Sequence, residues 1–133
     1  MDSTAQPSTR DAFDSLIRGF GEGWTKGDAE AIAAVFLPEG VFQPDPFAEP
    51  LTGQQAIREY WKDIPLEQSE ISFRYGELFT VGPWFAVEFR CTFRRRRTGE
   101  PIDARGAIFC ETKEGKIAEM RMYWHRVTGG RAR

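Results

Sequence analysis

Residues 41–53 read Val-Phe-Gln-Pro-Asp-Pro-Phe-Ala-Glu-Pro-Leu-Thr-Gly and lie between the second and third of three predicted helices. Three of the protein's eight prolines fall here, and Asp45 stands between two of them. Proline restricts its own backbone and disfavours the helical conformation in the preceding residue, so we expect Asp45 on a stiff, extended segment. A carboxylate held in this way among apolar side chains is a candidate general base. The alternative is a solvated turn residue, because Asp beside Pro is common in turns.

Three helices are predicted from apolar residues that recur at every third or fourth position. The first spans residues 10–26 and the second spans 29–36, with Asp28 as the N-cap of the second. The third spans residues 53–63, and Pro65 is expected to close it.

From Glu70 onward, apolar and polar residues alternate, which is the pattern of half-buried strands. Turn signals at 82–83, 98–101 and 114–115 divide this half into four long strands that end at Val127. Helices followed by consecutive strands are typical of α+β proteins. We therefore predict a curved antiparallel sheet wrapped around the three helices, with room for a pocket between the two layers.

The length of 133 residues predicts one domain. We assign it to residues 10–128, with a disordered N-terminal tail at 1–9 and a C-terminal tail at 129–133. A net charge of −2 argues against nucleic acid as a partner. No apolar run approaches the roughly 20 residues that cross a membrane, and no signal-peptide pattern is present, so we expect a cytoplasmic protein.

Metal chemistry is not expected, because the sequence offers only Cys91, Cys110 and His125 as nitrogen and sulfur ligands, too few and too widely spaced. We expect no other cofactor. Both cysteines lie in apolar strand patterns, which predicts buried free thiols; a disulfide between paired strands is the alternative. In the alternation of the last strand, His125 shares a face with Tyr123 and lies opposite Trp124.

The order of these elements and several motifs resemble the SnoaL-like superfamily, which includes nuclear transport factor two, steroid Δ-isomerases, polyketide cyclases and limonene epoxide hydrolase. The similarity extends over residues 11–127. The motifs that carry it, besides the proline-rich stretch, are Trp24-x-x-Gly27-Asp28, Gly53-x-x-Ala56-Ile57-x-x-Tyr60-Trp61, Gly115-Lys116-Ile117 and Tyr123-Trp124. The resemblance implies a cone-shaped fold around an apolar pocket, and a homodimer formed through the outer face of the sheet.

Within that superfamily, residues 45–53 are most similar to the ketosteroid isomerase segment that carries the aspartate base, with Asp45 at the position of the base. In those enzymes a tyrosine of the first helix and a protonated aspartate of a late strand hold the enolate oxygen. The corresponding positions here are Phe20 and Ala107, and neither side chain can donate a hydrogen bond. The resemblance therefore implies a base without the usual oxyanion donors, and ketosteroid isomerase activity itself is not expected.

Asp103 and Arg105 are two residues apart on a predicted strand and so share one face. The resemblance implies that this face, with Ala107, points inward, which lets Arg105 orient an anionic or carbonyl substrate. The alternative inward set, which leaves the pair exposed, is Ile102, Ala104, Ile108 and Cys110. Both alternatives stay open because a bulge near Gly106 would switch the faces.

Two functions are compatible with these features. The first is an isomerase-, cyclase- or hydratase-type enzyme for a small, largely apolar carbonyl-type substrate, with Asp45 as the general base and Arg105 or Tyr60 as the polar anchor. The second is a non-catalytic ligand-binding or dimerisation module. The predicted substrate-binding residues are Phe20, Trp24, Phe47, Trp61, Val87, Phe89, Asp103, Met120 and Trp124. A homodimer is expected because the outer sheet face otherwise leaves apolar groups uncovered, among them Leu78, Ala86 and Tyr123.

Overall fold

Helices and strands follow the predicted α+β order in the computed structural model, which describes residues 9–129. The elements are α1 (Thr9–Lys26), α2 (Ala29–Ala34), β1 (Phe36–Gln43), β2 (Leu51–Thr52), α3 (Gln54–Glu67), β3 (Gln68–Tyr75), β4 (Phe79–Val81), β5 (Trp84–Arg95), β6 (Pro101–Lys113) and β7 (Lys116–Thr128). The predicted tails lie outside the described residues, except that Thr9 already belongs to α1 and Gly129 follows β7.

The strands form one curved, open sheet in the order β2-β1-β7-β6-β5-β3, and β4 pairs with the remaining length of β5. All pairs are antiparallel except β1 with β7, which is parallel. The predicted α+β fold with a curved, largely antiparallel sheet is confirmed, and the parallel pairing of β1 with β7 is the one feature of the sheet that the sequence did not indicate. A connection that contains α3 and five strands separates β1 from β7, so no hairpin turn dictates that they run in opposite directions.

Phe36, predicted to be the last residue of the second helix, instead begins β1 and pairs with Ile117. The backbone N–H of Ile117 also donates to the carbonyl of Val35 at 2.9 Å. Pro38 falls inside β1, where the register with β7 shifts between Phe36 and Val41. At such an irregularity no ladder hydrogen bond is required from the proline nitrogen.

Helix α3 continues through Pro65 to Glu67 instead of stopping at Asp63. The proline removes only one hydrogen bond near the end of the helix, and the N–H of Gln68 donates to the carbonyl of Ile64. The ring of Pro65 also packs against Gly27 so closely that a Cβ at Gly27 would lie 2.8 Å from its Cγ. This contact joins the end of α3 to the end of α1.

The core lies between the concave face of the sheet and the apolar face of α1. Phe20 is fully buried at its centre, with the rings of Trp24, Phe42, Trp61 and Phe73 all centred within 6.4 Å of its own. Phe73 also covers Gly21, where a Cβ would lie 2.3 Å from its ring. The glycine at this position of α1 therefore permits the close approach of Phe73.

The faces of β6 do not switch at Gly106. Pairing with β7 is continuous from Ile102 to Glu111, and the shift in register comes only after that point. The residues of β6 that point into the core are Ile102, Ala104, Ile108 and Cys110. A Cβ at Gly106 would lie 1.9 Å from the carbonyl oxygen of Tyr123, so this position brings the two backbones closer than any side chain permits.

Candidate functional site

An aromatic cavity of about 230 Å³ lies between α3, the proline-rich segment after β1, and the adjoining ends of β5, β6 and β7. Its apolar wall is formed by Trp24, Phe42, Pro44, Tyr60, Trp61, Ile64, Phe89, Phe93, Ile102, Ala104, Met122 and Trp124. The polar side chains that line it are Glu67, Gln68, Arg95 and Arg126. Glu67 and Arg126 are exposed, so the charged groups mark the side that meets solvent.

Three tryptophans line the cavity, and they differ in what their indole N–H groups contact. Trp24 donates to Oε1 of Gln68 at 3.0 Å, and Trp124 donates to the carbonyl of Pro44 at 2.8 Å. Trp61 is only 4% exposed, and its Nε1 has no hydrogen-bond partner among residues 9–129. A buried donor left without an acceptor typically costs about 1–3 kcal/mol. Among the three tryptophans that line the cavity, Trp61 is therefore the one whose indole N–H lacks a hydrogen-bond partner within the described residues.

Tyr60 brings a phenol to the mouth of the cavity. Burial raises the pKa of this hydroxyl, and the negative charges of Asp45 and Glu67 raise it further. The phenol consequently stays protonated and can donate a hydrogen bond at neutral pH. The rings of Phe42 and Trp61 lie 5.6 Å and 5.4 Å from that of Tyr60, which ties this side chain to the aromatic wall.

Asp45 follows Pro44 directly, and Pro44 is part of the cavity wall. The carboxylate is half-buried, and its Oδ1 accepts a 2.8 Å hydrogen bond from the backbone N–H of Phe47. This hydrogen bond stabilises the turn that contains Asp45, in agreement with the alternative that Asp45 is a turn residue. Asp45 itself is not among the residues that line the cavity, although its negative charge acts on the Tyr60 phenol and raises the pKa of that hydroxyl.

Asp103 and Arg105 lie on the outer face of the sheet, so the prediction that they enter the pocket is wrong. Asp103 accepts paired hydrogen bonds from Arg105 at 3.2 and 2.9 Å and from Arg90 at 3.1 Å each. These two guanidinium groups lower the pKa of Asp103 to about 2. Strand alternation decides the placement, because Ile102 and Ala104 already occupy the inner face.

The apolar residues that were predicted to bind the substrate fall into three groups. Those that line the cavity are Trp24, Trp61, Phe89 and Trp124. Those that instead fill the closed end of the core, too tightly packed to meet a ligand, are Phe20, Val87 and Met120. Phe47 is 97% exposed and lines nothing, because the turn at Asp45 directs it to solvent.

Several lining residues were missed by sequence reasoning, although strand alternation carried a signal for some of them. Phe93 lies four residues beyond Phe89 on the same face of β5, and Met122 and Arg126 flank Trp124 on the same face of β7. Ile102 and Ala104 were named only in the alternative reading of β6. Nothing local marks Pro44 or Gln68 as lining residues, because both depend on how distant elements meet.

The cysteines are buried free thiols, as predicted, and burial raises the pKa of Cys91 to about 12. His125 is exposed on the outer sheet face, opposite Arg105. Within residues 9–129, no group of three or more His, Cys, Asp or Glu side chains is arranged to hold a metal ion. None of the described helices combines the length and apolar character required to cross a membrane.

A curved mixed sheet that encloses three helices and an aromatic cavity defines the cone-shaped class of α+β pocket proteins. The model of the SnoaL-like domain family matches residues 17–120, and the chain therefore belongs to the SnoaL-like family. A comparison with curated proteins found no match.

Solved structures share this fold over most of the chain. A protein from Bacillus subtilis described as a candidate isomerase is 24% identical with a TM-score of 0.78, over 86% of this chain and 87% of its own. SalBIII, an epoxide hydrolase/cyclase-like enzyme in salinomycin pyran ring formation, is 21% identical with a TM-score of 0.72, over 84% and 89%. A Catenulispora acidiphila protein with a ketosteroid isomerase-like fold, bound to trimethylamine, is 15% identical with a TM-score of 0.74, over 81% and 83%. Identities this low establish the fold and no more.

Proposed function

We propose that this protein binds a small, largely apolar carbonyl-type ligand in the aromatic cavity and acts on it as an isomerase-, cyclase- or hydratase-type enzyme. The observation that carries the proposal is a protonated phenol, Tyr60, at the cavity mouth within electrostatic reach of a carboxylate, Asp45. A neutral donor beside a base is the minimum that proton transfer next to a carbonyl requires. The cyclase-like description of SalBIII, which has the same fold, is in keeping with this class of reaction.

Cavity size limits the ligand. A cavity of about 230 Å³ is larger than the roughly 150 Å³ that accommodates benzene, and smaller than the roughly 300–1,000 Å³ typical of drug-sized ligands. A single ring with a short substituent satisfies both limits. A steroid does not, which agrees with the absence of ketosteroid isomerase oxyanion donors at Phe20 and Ala107.

In this proposal the carboxylate of Asp45 removes a proton from the carbon next to the ligand carbonyl. The electron pair of the broken C–H bond forms a C=C bond to the carbonyl carbon, and the π pair of the carbonyl moves onto its oxygen. The Tyr60 hydroxyl donates a hydrogen bond to that oxygen. Where the ligand carries a C=C bond next to the deprotonated carbon, Asp45 returns the proton at the far carbon of that bond. The carbonyl re-forms and the C=C bond moves into conjugation with it, which completes an isomerisation. One of its oxygens, Oδ1, is held by Phe47, and Oδ2 has no hydrogen-bond partner among residues 9–129 and is the oxygen assigned to proton transfer.

A homodimer through the outer sheet face and a cytoplasmic location complete the proposal. Leu78 is buried and exposes no apolar surface, but Phe109 and Tyr123 are 41% and 42% exposed and their rings pack against each other, 5.8 Å between centres. A second copy would cover this aromatic pair.

Two unpaired cysteines are typical of a reducing compartment.

A non-catalytic ligand-binding module is the second candidate. Two observations favour it. The usual oxyanion-donor positions hold Phe20 and Ala107, and Oδ1 of Asp45 already accepts a hydrogen bond from Phe47 within its own turn. In this case the cavity would bind the same class of ligand without turnover.

The deciding experiment begins with native mass spectrometry of the purified protein, and any ligand it carries is extracted, identified and tested for turnover. Asp45→Asn keeps a side-chain oxygen for the N–H of Phe47 but cannot accept the proton, so the turn should survive. We expect unchanged ligand affinity and a fall in kcat of roughly 100-fold or more. Glu49→Gln, which removes an exposed carboxylate from the same segment, is the matched control and should leave kcat unchanged. Full activity of Asp45→Asn would refute the base assignment, and tight binding without turnover by the native protein would favour the binding module.

A further inference from the structure

We infer that the ligand of the cavity carries a carboxylate and that the guanidinium of Arg126 binds it. The inference rests on the proposed function, because it names the class of ligand that the same site takes. That class is a single-ring keto acid. Its ring lies against the aromatic wall, its carbonyl oxygen accepts the hydrogen bond of Tyr60, and its carboxylate is held by Arg126.

Arg126 lies on the concave face of the sheet. Side chains alternate along β7, so Met122, Trp124 and Arg126 share one face, and all three line the cavity. The residue opposite Arg126 on β6 is Ala104, which also lines the cavity. Arg126 is exposed, whereas Met122 is buried. The inner row of β7 therefore changes from apolar to cationic where the cavity meets solvent.

The guanidinium of Arg126 has no protein partner, since its side chain forms no ion pair and no hydrogen bond within residues 9–129. The other arginine that lines the cavity, Arg95, is already engaged, because its Nε lies 3.4 Å from Oε1 of Glu100. Of the two cations at the cavity, Arg126 is the one that remains available to an anion. Arginine binds a carboxylate through two parallel hydrogen bonds, a geometry that a ligand acid group can complete.

Two carboxylates near the cavity determine which ligand group faces Tyr60. Asp45 and Glu67 both act on the Tyr60 phenol and raise its pKa, so a ligand anion beside this hydroxyl would be repelled. A neutral carbonyl oxygen does not carry that penalty. Neither carboxylate forms an ion pair with Arg126 in the part of the chain that the structure describes. The carbonyl is therefore assigned to Tyr60 on α3, and the carboxylate to Arg126 on β7.

The test uses phenylacetate and phenylacetamide, two single-ring probes of nearly the same shape of which only the first is charged, and phenethylamine as a cationic probe. Each is titrated into the native protein at pH 7, and the Arg126 Nε–H and Trp124 indole signals are followed by NMR. We expect phenylacetate to bind roughly fivefold more tightly than phenylacetamide, because an ion pair to an exposed arginine contributes modestly. The preference should fall as salt is added, and phenylacetate should move the Arg126 signal more than phenylacetamide does.

Variants provide the second readout. Arg126→Gln should abolish the preference for phenylacetate, and Arg126→Lys, which keeps the charge but not the paired donors, should retain part of it. Arg97→Gln is the matched control, since it removes the same charge from an exposed arginine that does not line the cavity. It should leave the preference unchanged.

The outcomes separate this inference from the proposed function. If the two isosteric probes bind equally while both move the Trp124 signal, or if the preference survives in Arg126→Gln, the role of Arg126 is refuted and the cavity function stands. Tightest binding of phenethylamine would show that Asp45 and Glu67 dominate the cavity mouth, and it would also refute that role. If no probe perturbs Trp124 or Met122, the single-ring cavity function is refuted and the role of Arg126 falls with it.

Discussion

The indole N–H of Trp124 donates a 2.8 Å hydrogen bond to the carbonyl oxygen of Pro44, although 80 positions separate the two residues in the chain. This bond ties the inner face of β7 to the segment that carries Asp45. The mouth of the cavity therefore depends on a contact between the first half of the protein and its last strand.

Trp124→Phe should remove that bond and leave the carbonyl of Pro44 without its partner. We expect a loss of about 1 kcal/mol in the free energy of unfolding, measured by urea denaturation. Hydrogen exchange at the amide of Phe47 should also become faster, because the segment is less firmly held. Tyr123→Phe alters the exposed neighbouring residue and should change stability by less than about 0.5 kcal/mol. Equal stability and equal exchange in the two variants would contradict the anchoring role of Trp124.

Gly106→Ala should destabilise the protein strongly. The added Cβ would lie 1.9 Å from the carbonyl oxygen of Tyr123, so β6 and β7 would have to separate. Overpacking of this kind costs about 1–3 kcal/mol, and we expect the upper end because a backbone atom is in the way. Gly76→Ala is the matched control, since no atom lies within 4 Å of its Cβ position. Thermal melts of the two variants provide the measurement, and similar Tm values would count against the close approach at Gly106.

Asp103 should make stability depend on acid pH. Its pKa is lowered to about 2 by Arg105 and Arg90, whereas an unfolded aspartate has a pKa of about 3.9. The unfolded state thus binds the proton more readily, so the stabilisation is complete above about pH 4 and is lost as pH falls toward 2. The side chains are partly exposed and the effect should be modest and weakened by salt.

The measurement is urea denaturation at pH 7 and at pH 2.5. Asp103→Asn should be less stable than the native protein at pH 7, and the difference should be much smaller at pH 2.5, where only part of the stabilisation remains. Thr92→Val, at the position opposite Asp103 on β5, removes no titrating group and should follow the native pH dependence. A constant difference between Asp103→Asn and the native protein at both pH values would exclude this linkage.

Phe109→Glu should convert a dimer into a monomer in sedimentation experiments at micromolar concentration. The substitution puts a charge into the aromatic pair that Phe109 forms with Tyr123 on the outer sheet face. Leu66→Glu, on α3, also replaces a largely exposed apolar side chain, and we expect it to leave the dimer intact. A native protein that sediments as a monomer at this concentration would remove the dimer from the proposal.

The sequence alone predicted much of the fold, because its information on helices and strands is local. The spacing of Phe13, Leu16, Ile17 and Phe20 determined which face of α1 is buried. The alternation from Phe85 to Cys91 did the same for β5. The order of elements and the motifs around them then led to the correct family.

Only the tertiary structure decided what depends on distant partners. Pro65 lies inside α3 near its end, where its ring packs against Gly27, and Pro38 lies inside β1 where the ladder to β7 is irregular. The inward face of β6 followed from unbroken pairing through Gly106, and this moved Arg105 from the predicted site to the outer surface. The unpaired N–H of Trp61 is also a tertiary property, since an indole lacks a partner only once every neighbour is in place. Periodicity specifies which side a residue faces, whereas cavities and hydrogen-bond partners arise from the packing of segments that are far apart in the chain.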